Sequence, residues 1–166
     1  MESKINCSPD NQSRDRVAKV IVAIRIGSKL HLLFSRKRVF NRPESHDRLE
    51  LLGGHLDNDD PLQGAIRELR EEELSGLLGG KLQDKHLIER IMVDGIEHHI
   101  YSMEISCEEH KQLRHNARES LGFELIAFSE MWNTATLSRL TEKTLKILAA
   151  FMDAGKRKCC GDSKLG

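Results

Sequence analysis

The sequence predicts an α/β domain with strands of mixed direction, and three observations support this prediction. Short runs rich in Val, Ile and Leu lie on both sides of the centre of the chain. One amphipathic helical pattern, starting at Pro61, separates these runs, and a second helical pattern starts near Thr141. Because each helix must bury its apolar face against another element, strands around a central helix predict helices packed on a sheet.

The length of 166 residues is sufficient for one domain with a substantial core. We assign this domain to residues 16–154. Residues 1–15 are polar and are predicted to be disordered, and residues 155–166 are predicted to form a loose tail. Periodicity alone does not predict the order of the strands in the sheet.

The first third of the chain alternates between apolar runs and turn-forming residues, which is typical of strands. A glycine between the first two runs indicates a hairpin, and paired glycines after the third run are predicted to form a turn. The predicted elements are strands over Val17–Ile26, Leu30–Ser35 and Leu49–Leu52, turns at Gly27–Lys29 and Gly53–Gly54, and a basic loop over residues 36–48.

The central helix is predicted to begin at Pro61, because a proline in the first helical turn leaves no helical hydrogen bond unmade. Apolar residues then recur at spacings of three and four, as expected for a helix face that packs against a core. This face consists of Leu62, Ala65, Ile66 and Leu69.

The second half of the chain contains further strands and a terminal helix. Asp94-Gly95 is predicted to be a turn between two strands, and residues 108–120 a polar loop with one helical turn. Thr141 is the predicted N-cap of the last helix, and Gly155 its predicted end. The predicted strands are Ile88–Val93, His99–Ile105 and Phe123–Phe128.

Composition excludes several classes of function. The 26 Lys and Arg residues balance the 26 Asp and Glu residues, so no overall charge attracts nucleic acid or an anionic membrane. No apolar run is long enough for a transmembrane helix, and residues 1–15 lack the apolar stretch of a signal peptide. The four cysteines show no zinc-binding spacing and are interpreted as free thiols, which predicts a cytoplasmic location.

The most informative feature is a cluster of carboxylates on the central helix. Glu68, Glu71 and Glu72 share one helix face, where like charges repel and destabilise the helix unless a cation neutralises them. Mg²⁺ suits this role, because it prefers carboxylate oxygens and keeps waters that a phosphate ligand can replace. The alternative interpretation is a solvated surface face that contains the ion pair Arg67–Glu71.

The segment Gly53–Gly76 resembles the Nudix box of the Nudix hydrolases, G-x5-E-x7-R-E-U-x-E-E-x-G-U, where U is aliphatic. The central residues Arg67–Glu72 match the pattern. Asp59 stands where the family has Glu, and Leu74 where it has Gly. The resemblance implies an α/β/α sandwich with a mixed β-sheet between helices.

The resemblance also implies roles for particular residues. Glu68, Glu71 and Glu72, with the Gly53 backbone, would hold Mg²⁺ or Mn²⁺. Arg67 would orient the glutamates through charge-assisted hydrogen bonds. Arg67, Glu71 and Glu72 are therefore candidate catalytic residues, and the identity of the general base stays open.

Many family members use a further acid from a loop before a late strand. Glu119 is our candidate, and Glu124, inside the predicted strand, is the runner-up. Arg36, Arg38 and Arg48 in the basic loop are candidate phosphate-binding residues. A solvated surface is the alternative for these arginines, and a solvated loop acid is the alternative for Glu119.

By resemblance, the expected activity is metal-dependent hydrolysis of the pyrophosphate bond in a nucleoside diphosphate linked to another moiety. The expected partner is this small molecule, with no membrane or nucleic acid, and a homodimer is left open. The chain lacks subfamily markers; for example, no proline follows Pro61. The departures at Asp59 and Leu74 motivate an alternative, a nucleotide-binding or regulatory module with weak or absent turnover.

Overall fold

A computed structural model describes residues 16–44 and 46–162, so the predicted disorder of residues 1–15 lies outside the described residues. The strands are β1 (Arg16–Ile26), β2 (Lys29–Lys37), β3 (Leu49–Glu50), β4 (Leu52–His55), β5 (Leu87–Val93), β6 (Ile96–Ile105) and β7 (Ser120–Ala127). The helices are α1 (Pro61–Glu72), α2 (Leu77–Lys81), α3 (Cys107–Gln112), α4 (Thr134–Leu137) and α5 (Glu142–Asp162).

The seven strands form one mixed sheet around β1, which confirms the predicted mixture of strand directions. One edge of β1 pairs antiparallel with β2 and β4, and the other edge pairs parallel with β6. Strand β5 pairs antiparallel with β6, and β2 also pairs with β3 and β7. Asp94 and Gly95 join β5 to β6 with positive φ at both residues, as the predicted hairpin turn requires.

Alternation along β1 places apolar side chains in two separate cores. Val20 and Val22 lie in the core beneath α1, where they join Ala65 and Leu69. The opposite face of the sheet packs against α5, and its core is built from Ile21, Ala23, Phe34, Ile100, Ile147 and Leu148. Helical layers therefore cover both faces of the sheet, and the α/β/α sandwich is confirmed.

The predicted turn at Gly53 and Gly54 is wrong, because both glycines lie inside strand β4. The apolar run that precedes them divides between two pairings: Glu50 pairs with Ser35 of β2, and Gly53 pairs with Lys19 of β1. Backbone contact explains the glycine at position 53. A Cβ atom there would lie 2.1 Å from the carbonyl oxygen of Ala18.

The predicted end of the last helix at Gly155 is also wrong. Helix α5 continues to Asp162, so the segment predicted to be loose is helical over residues 155–162, and residues 163–166 lie outside the described residues. A glycine inside a helix costs about 1 kcal/mol relative to alanine, which is too little to end a long helix by itself. The N-cap prediction is confirmed, since the Thr144 backbone N–H donates to Thr141 Oγ1 at 3.2 Å.

Two short helices, α2 and α4, were not predicted, because four or five residues are too few for helical periodicity to be recognised. Over the described part of the chain, no helix combines the length and the apolar character needed to cross a membrane.

Candidate active site

The glycines of β4 allow the backbone to approach two glutamates of α1. The Gly53 N–H donates to Glu72 Oε2 at 3.0 Å and to Glu72 Oε1 at 3.3 Å. Gly53 has φ of 124°, a conformation that favours glycine. At Gly54, a Cβ atom would lie 2.5 Å from Glu68 Oε2. Each glycine therefore provides space that a larger residue would fill.

Arg67 connects the loop after β4 to the carboxylates of α1. Its Nε donates to Asp59 Oδ2 at 2.9 Å, and a terminal nitrogen donates to Glu68 Oε1 at 3.0 Å. The same nitrogen lies 3.5 Å from Glu71 Oε1, and the other donates to the carbonyl oxygen of His55 at 3.0 Å. Asp59 therefore reaches Arg67 although its side chain is shorter than the glutamate of the box.

Glu68, Glu72 and Glu119 lie in environments that raise their pKa values. Burial, opposed by the charge of Lys19, raises the pKa of Glu72 to about 8. Burial and the charge of Glu71 raise the pKa of Glu68. The same two causes raise the pKa of Glu119. A cation bound among these groups would stabilise their ionised forms.

The loop before β7 brings Glu119 to this cluster. Asn116 ties the loop to the end of α1: its backbone N–H donates to the Glu72 carbonyl at 3.1 Å, and its Nδ2 to the Glu71 carbonyl at 2.9 Å. The Glu119 N–H then donates to the Asn116 carbonyl at 2.9 Å. Sequence reasoning missed Asn116, whose contacts join residues 44 and 45 positions apart. The runner-up Glu124 lies in β7 and pairs with Arg139 in the turn between α4 and α5.

Glu73 was also missed, and it organises the end of α1. This buried carboxylate accepts hydrogen bonds from the Ser75 N–H and hydroxyl, both at 2.7 Å, and from the Arg114 N–H at 3.0 Å. Burial opposes ionisation, but these hydrogen bonds prevail and lower the pKa of Glu73. Helix α1 therefore ends in an ordered manner without the glycine of the box, and Leu74 is half exposed at that position.

The predicted ligands do not form a ready-made metal site. In residues 16–44 and 46–162, no three Asp, Glu, His or Cys side chains converge on one point that could hold an ion. Arg67 binds one oxygen of Glu68, and the Gly53 N–H binds Glu72. The donor set nevertheless fits Mg²⁺ or Mn²⁺, since it consists of carboxylate oxygens, and a cation would favour the ionised forms of Glu68 and Glu72, whose pKa values burial raises. An ionised carboxylate accepts at about four lone-pair positions, so the hydrogen bonds from Arg67 and the Gly53 N–H leave positions open for a cation.

The three candidate phosphate-binding arginines all have protein partners. Arg36 pairs with Asp47 at 2.7 Å, and Arg38 donates to the Ala117 carbonyl. Arg48 donates to the carbonyls of Glu44 and Ser138. These contacts hold the basic loop against the rest of the domain, and phosphate binding by these arginines stays a prediction.

No protein-family model matches the chain, and no curated protein matches it. Solved structures do match. The Nudix domain of Shewanella oneidensis NrtR, complexed with ADP ribose, has a TM-score of 0.57 at 12% identity, over 90% of this chain and 94% of that one. A mutT/nudix family protein from Listeria innocua has a TM-score of 0.53 at 20% identity, over 88% and 96% of the two chains. A C. elegans Ap4A hydrolase has a TM-score of 0.50 at 14% identity, over 83% and 98%.

At these identities the likeness concerns the fold. It agrees with the mixed sheet between two helical layers and with the position of α1, whose residues Arg67–Glu72 face the glycines of β4. The resemblance of the box to the sequence pattern and the similarity of the whole domain therefore point to the same architecture. This chain has the Nudix hydrolase fold.

Proposed function

We propose that this protein hydrolyses the pyrophosphate bond of a nucleoside diphosphate linked to another moiety, and that it requires Mg²⁺ or Mn²⁺. The observation that carries the proposal is the contact between the carboxylate face of α1 and the glycine strand. Glu72 meets the Gly53 N–H there, Glu68 lies against Gly54, and Arg67 lies between Glu68 and Glu71.

Glu68, Glu71, Glu72 and the Gly53 backbone would hold the cation, as the resemblance implies. When bound, it would neutralise phosphate oxygens and lower the pKa of a coordinated water. Arg67 restricts the orientations of the glutamates through its hydrogen bonds.

Glu119 is the proposed general base. Its raised pKa makes its ionised form a better proton acceptor than an ordinary carboxylate. The Asn116 contacts hold its loop against α1, beside the Glu71 charge that helps to raise this pKa.

The choice of substrate class draws on the matched structures. One is an Ap4A hydrolase, and another is a Nudix domain complexed with ADP ribose. Both compounds contain a nucleoside joined through phosphoanhydride bonds to a second group. The same general class is proposed for this chain.

The binding-module alternative was motivated by Asp59 and Leu74, and the structure weakens that motive. Asp59 still reaches Arg67 at 2.9 Å, and Glu73 ends α1 without the family glycine. Neither departure removes a carboxylate from the cluster.

Purified protein incubated with a panel of nucleoside diphosphate derivatives would test the proposal. We expect release of phosphorylated products with Mg²⁺ or Mn²⁺ and poor activity with Ca²⁺, because Ca²⁺ is larger and takes a more flexible geometry. Full activity in excess EDTA would contradict the metal-dependent mechanism. Tight nucleotide binding without turnover of any compound would favour the module.

A further inference from the structure

A polar cavity of about 430 Å³ lies between the sheet and the start of α5. Its lining is rich in charge, and none of the residues described as lining it is Phe, Tyr or Trp. Apart from the imidazole of His98, its described lining therefore offers no ring on which a nucleobase could stack. Its charged residues are the cations Lys37, Arg42, Lys143 and Lys146 and the acids Glu50, Asp94 and Glu142.

Two cations that line this cavity take part in none of its described ion pairs. Glu50 lies between Lys19 and Lys37, at 3.6 and 3.5 Å. Lys146 pairs with both remaining acids, Asp94 at 3.0 Å and Glu142 at 3.5 Å. Among the described residues, Lys143 and Arg42 then have no ion-pair partner. Burial, followed by the charge of Lys19, lowers the pKa of Lys143, as expected for a cation in a positively charged cavity.

The cavity adjoins the carboxylate cluster through the sheet. Lys19, which pairs with Glu50 in the cavity, is the register partner of Gly53. The Gly53 N–H in turn binds Glu72. The charges of Lys19 and Glu50 both affect the pKa of Glu72, which places the two sites within electrostatic reach of each other.

A buried acceptor adds a second kind of binding group. His98, 1% exposed, lines the cavity, and its Nδ1 contacts the Ile96 carbonyl at 2.9 Å. This contact requires the proton on Nδ1, so Nε2 is an acceptor, and it has no partner in the described structure. Burial lowers the pKa of His98, which keeps the ring neutral. A ligand hydroxyl group would satisfy Nε2.

We propose that this cavity binds a phosphate-bearing, hydroxylated part of the substrate, with Lys143 and Arg42 as the phosphate ligands. Preferred substrates would then carry an additional phosphate on the moiety linked to the nucleoside diphosphate. This inference rests on the proposed function. The lysine supplies a mobile point charge and the arginine a planar pair of donors, a combination suited to phosphate.

Calorimetric titration with inorganic pyrophosphate in EDTA tests the anion site without any metal-dependent binding. We expect Lys143→Gln and Arg42→Gln each to weaken binding roughly tenfold, the effect of losing one charge-assisted hydrogen bond. Lys111→Gln is the matched control: it removes one positive charge from α3, where Lys111 pairs with Glu108. Unchanged affinity in Lys143→Gln and Arg42→Gln, or an equal loss in the control, would overturn the proposal.

Steady-state kinetics test whether the anion belongs to the substrate. The probes are a nucleoside diphosphate sugar and the same compound with an added phosphate on its sugar. The wild type should favour the phosphorylated compound about tenfold or more in kcat/KM, mainly through KM, and Lys143→Gln should lose this preference.

The calorimetric titration and the kinetic comparison together distinguish failure of this inference from failure of the proposed function. Turnover without any preference for the added phosphate would overturn the substrate assignment and leave the hydrolase intact, even if pyrophosphate binding depends on Lys143. Absence of turnover with every compound, together with Lys143-dependent binding of pyrophosphate, would remove the hydrolase and keep the anion site.

Discussion

Two neighbouring carboxylates at the end of α1, Glu72 and Glu73, have opposite electrostatic behaviour. Glu73 is buried and Glu72 is half-buried, yet the pKa of Glu72 is raised to about 8 and that of Glu73 is lowered. Glu73 accepts hydrogen bonds from four donors, located on Ser75, Leu78 and Arg114. Among the described residues, the Gly53 N–H is the one donor to the Glu72 carboxylate.

The difference shows that burial does not by itself determine whether a carboxylate is ionised. Desolvation opposes both charges; the charges of Glu68 and Glu50 further raise the pKa of Glu72, whereas several hydrogen-bond donors lower the pKa of Glu73. Glu73 therefore acts as an ionised structural cap that also anchors the loop carrying Glu119. Glu72 lacks sufficient donors, so its charge would be stabilised by a bound cation.

The largest expected effect follows from removing the charge of Glu72. Glu72→Gln should lower kcat by roughly 10²–10³-fold, as the loss of one electrostatic stabiliser at a reacting centre does. The hydrogen bond from Gly53 can persist to the amide oxygen, so the fold should be retained. Steady-state assays with Mg²⁺ measure the effect, and Glu108→Gln on α3 is the control, since that side chain is 79% exposed. Wild-type turnover in Glu72→Gln would make this face an ordinary solvated surface.

The second effect concerns the loop that Glu73 anchors. Glu119→Gln should lower kcat by about 10²-fold, as expected for loss of a general base, with little change in KM. Because the pKa of Glu119 is raised, kcat of the wild type should start to fall, as the pH decreases, at a higher pH than an ordinary carboxylate would give. This fall should be absent in Glu119→Gln. Glu124→Gln, which removes an acid paired with Arg139, should retain most of its activity. The opposite result would transfer the role to Glu124.

A smaller effect is expected at Glu73. Glu73→Gln places an amide group among N–H donors that need an acceptor, so the free energy of unfolding should fall by about 1–3 kcal/mol. Urea denaturation measures this change, and Glu108→Gln again serves as the control. If Glu73→Gln is as stable as the wild type, the hydrogen bonds to Ser75 and Arg114 do not stabilise the end of α1.

The last effect is on stability and not on turnover: the free energy of unfolding in EDTA should depend on pH. Because the folded pKa of Glu72 is about 8 and its ordinary value is 4.5, the folded state holds this proton more tightly. The stability that this group contributes is complete below pH 4.5 and is lost as the pH rises through 8. Glu72→Gln should not show this loss, and above pH 8 it should be more stable than the wild type by several kcal/mol, since each unit between 4.5 and 8 corresponds to about 1.4 kcal/mol.

Unfolding curves at pH 5 and pH 8, with and without Mg²⁺, measure this difference. Millimolar Mg²⁺ should reverse the order of stability, because it stabilises only a folded state that binds it. Parallel pH dependence of the two proteins, without any response to Mg²⁺, would contradict both the burial of this charge and its role as a ligand.

The sequence by itself determined the features that depend on local pattern. A run rich in Val and Ile predicted β1, Pro61 predicted the start of α1, and Asp94-Gly95 predicted the turn between β5 and β6. The spacing of Glu68, Glu71 and Glu72 placed three carboxylates on one helix face. Each of these features is set by residues a few positions apart, through backbone geometry and side-chain periodicity.

Tertiary structure alone decided how those carboxylates are held and which loop residues contact the end of α1. The apolar run before Gly53 divides between two strands because its halves pair with different partners. The Arg114 N–H reaches Glu73 across 41 positions, and the Asn116 side chain reaches the Glu71 carbonyl across 45. Such contacts depend on the path of the whole chain, which local periodicity does not encode, so Glu73 and Asn116 carried no recognisable signal in the sequence.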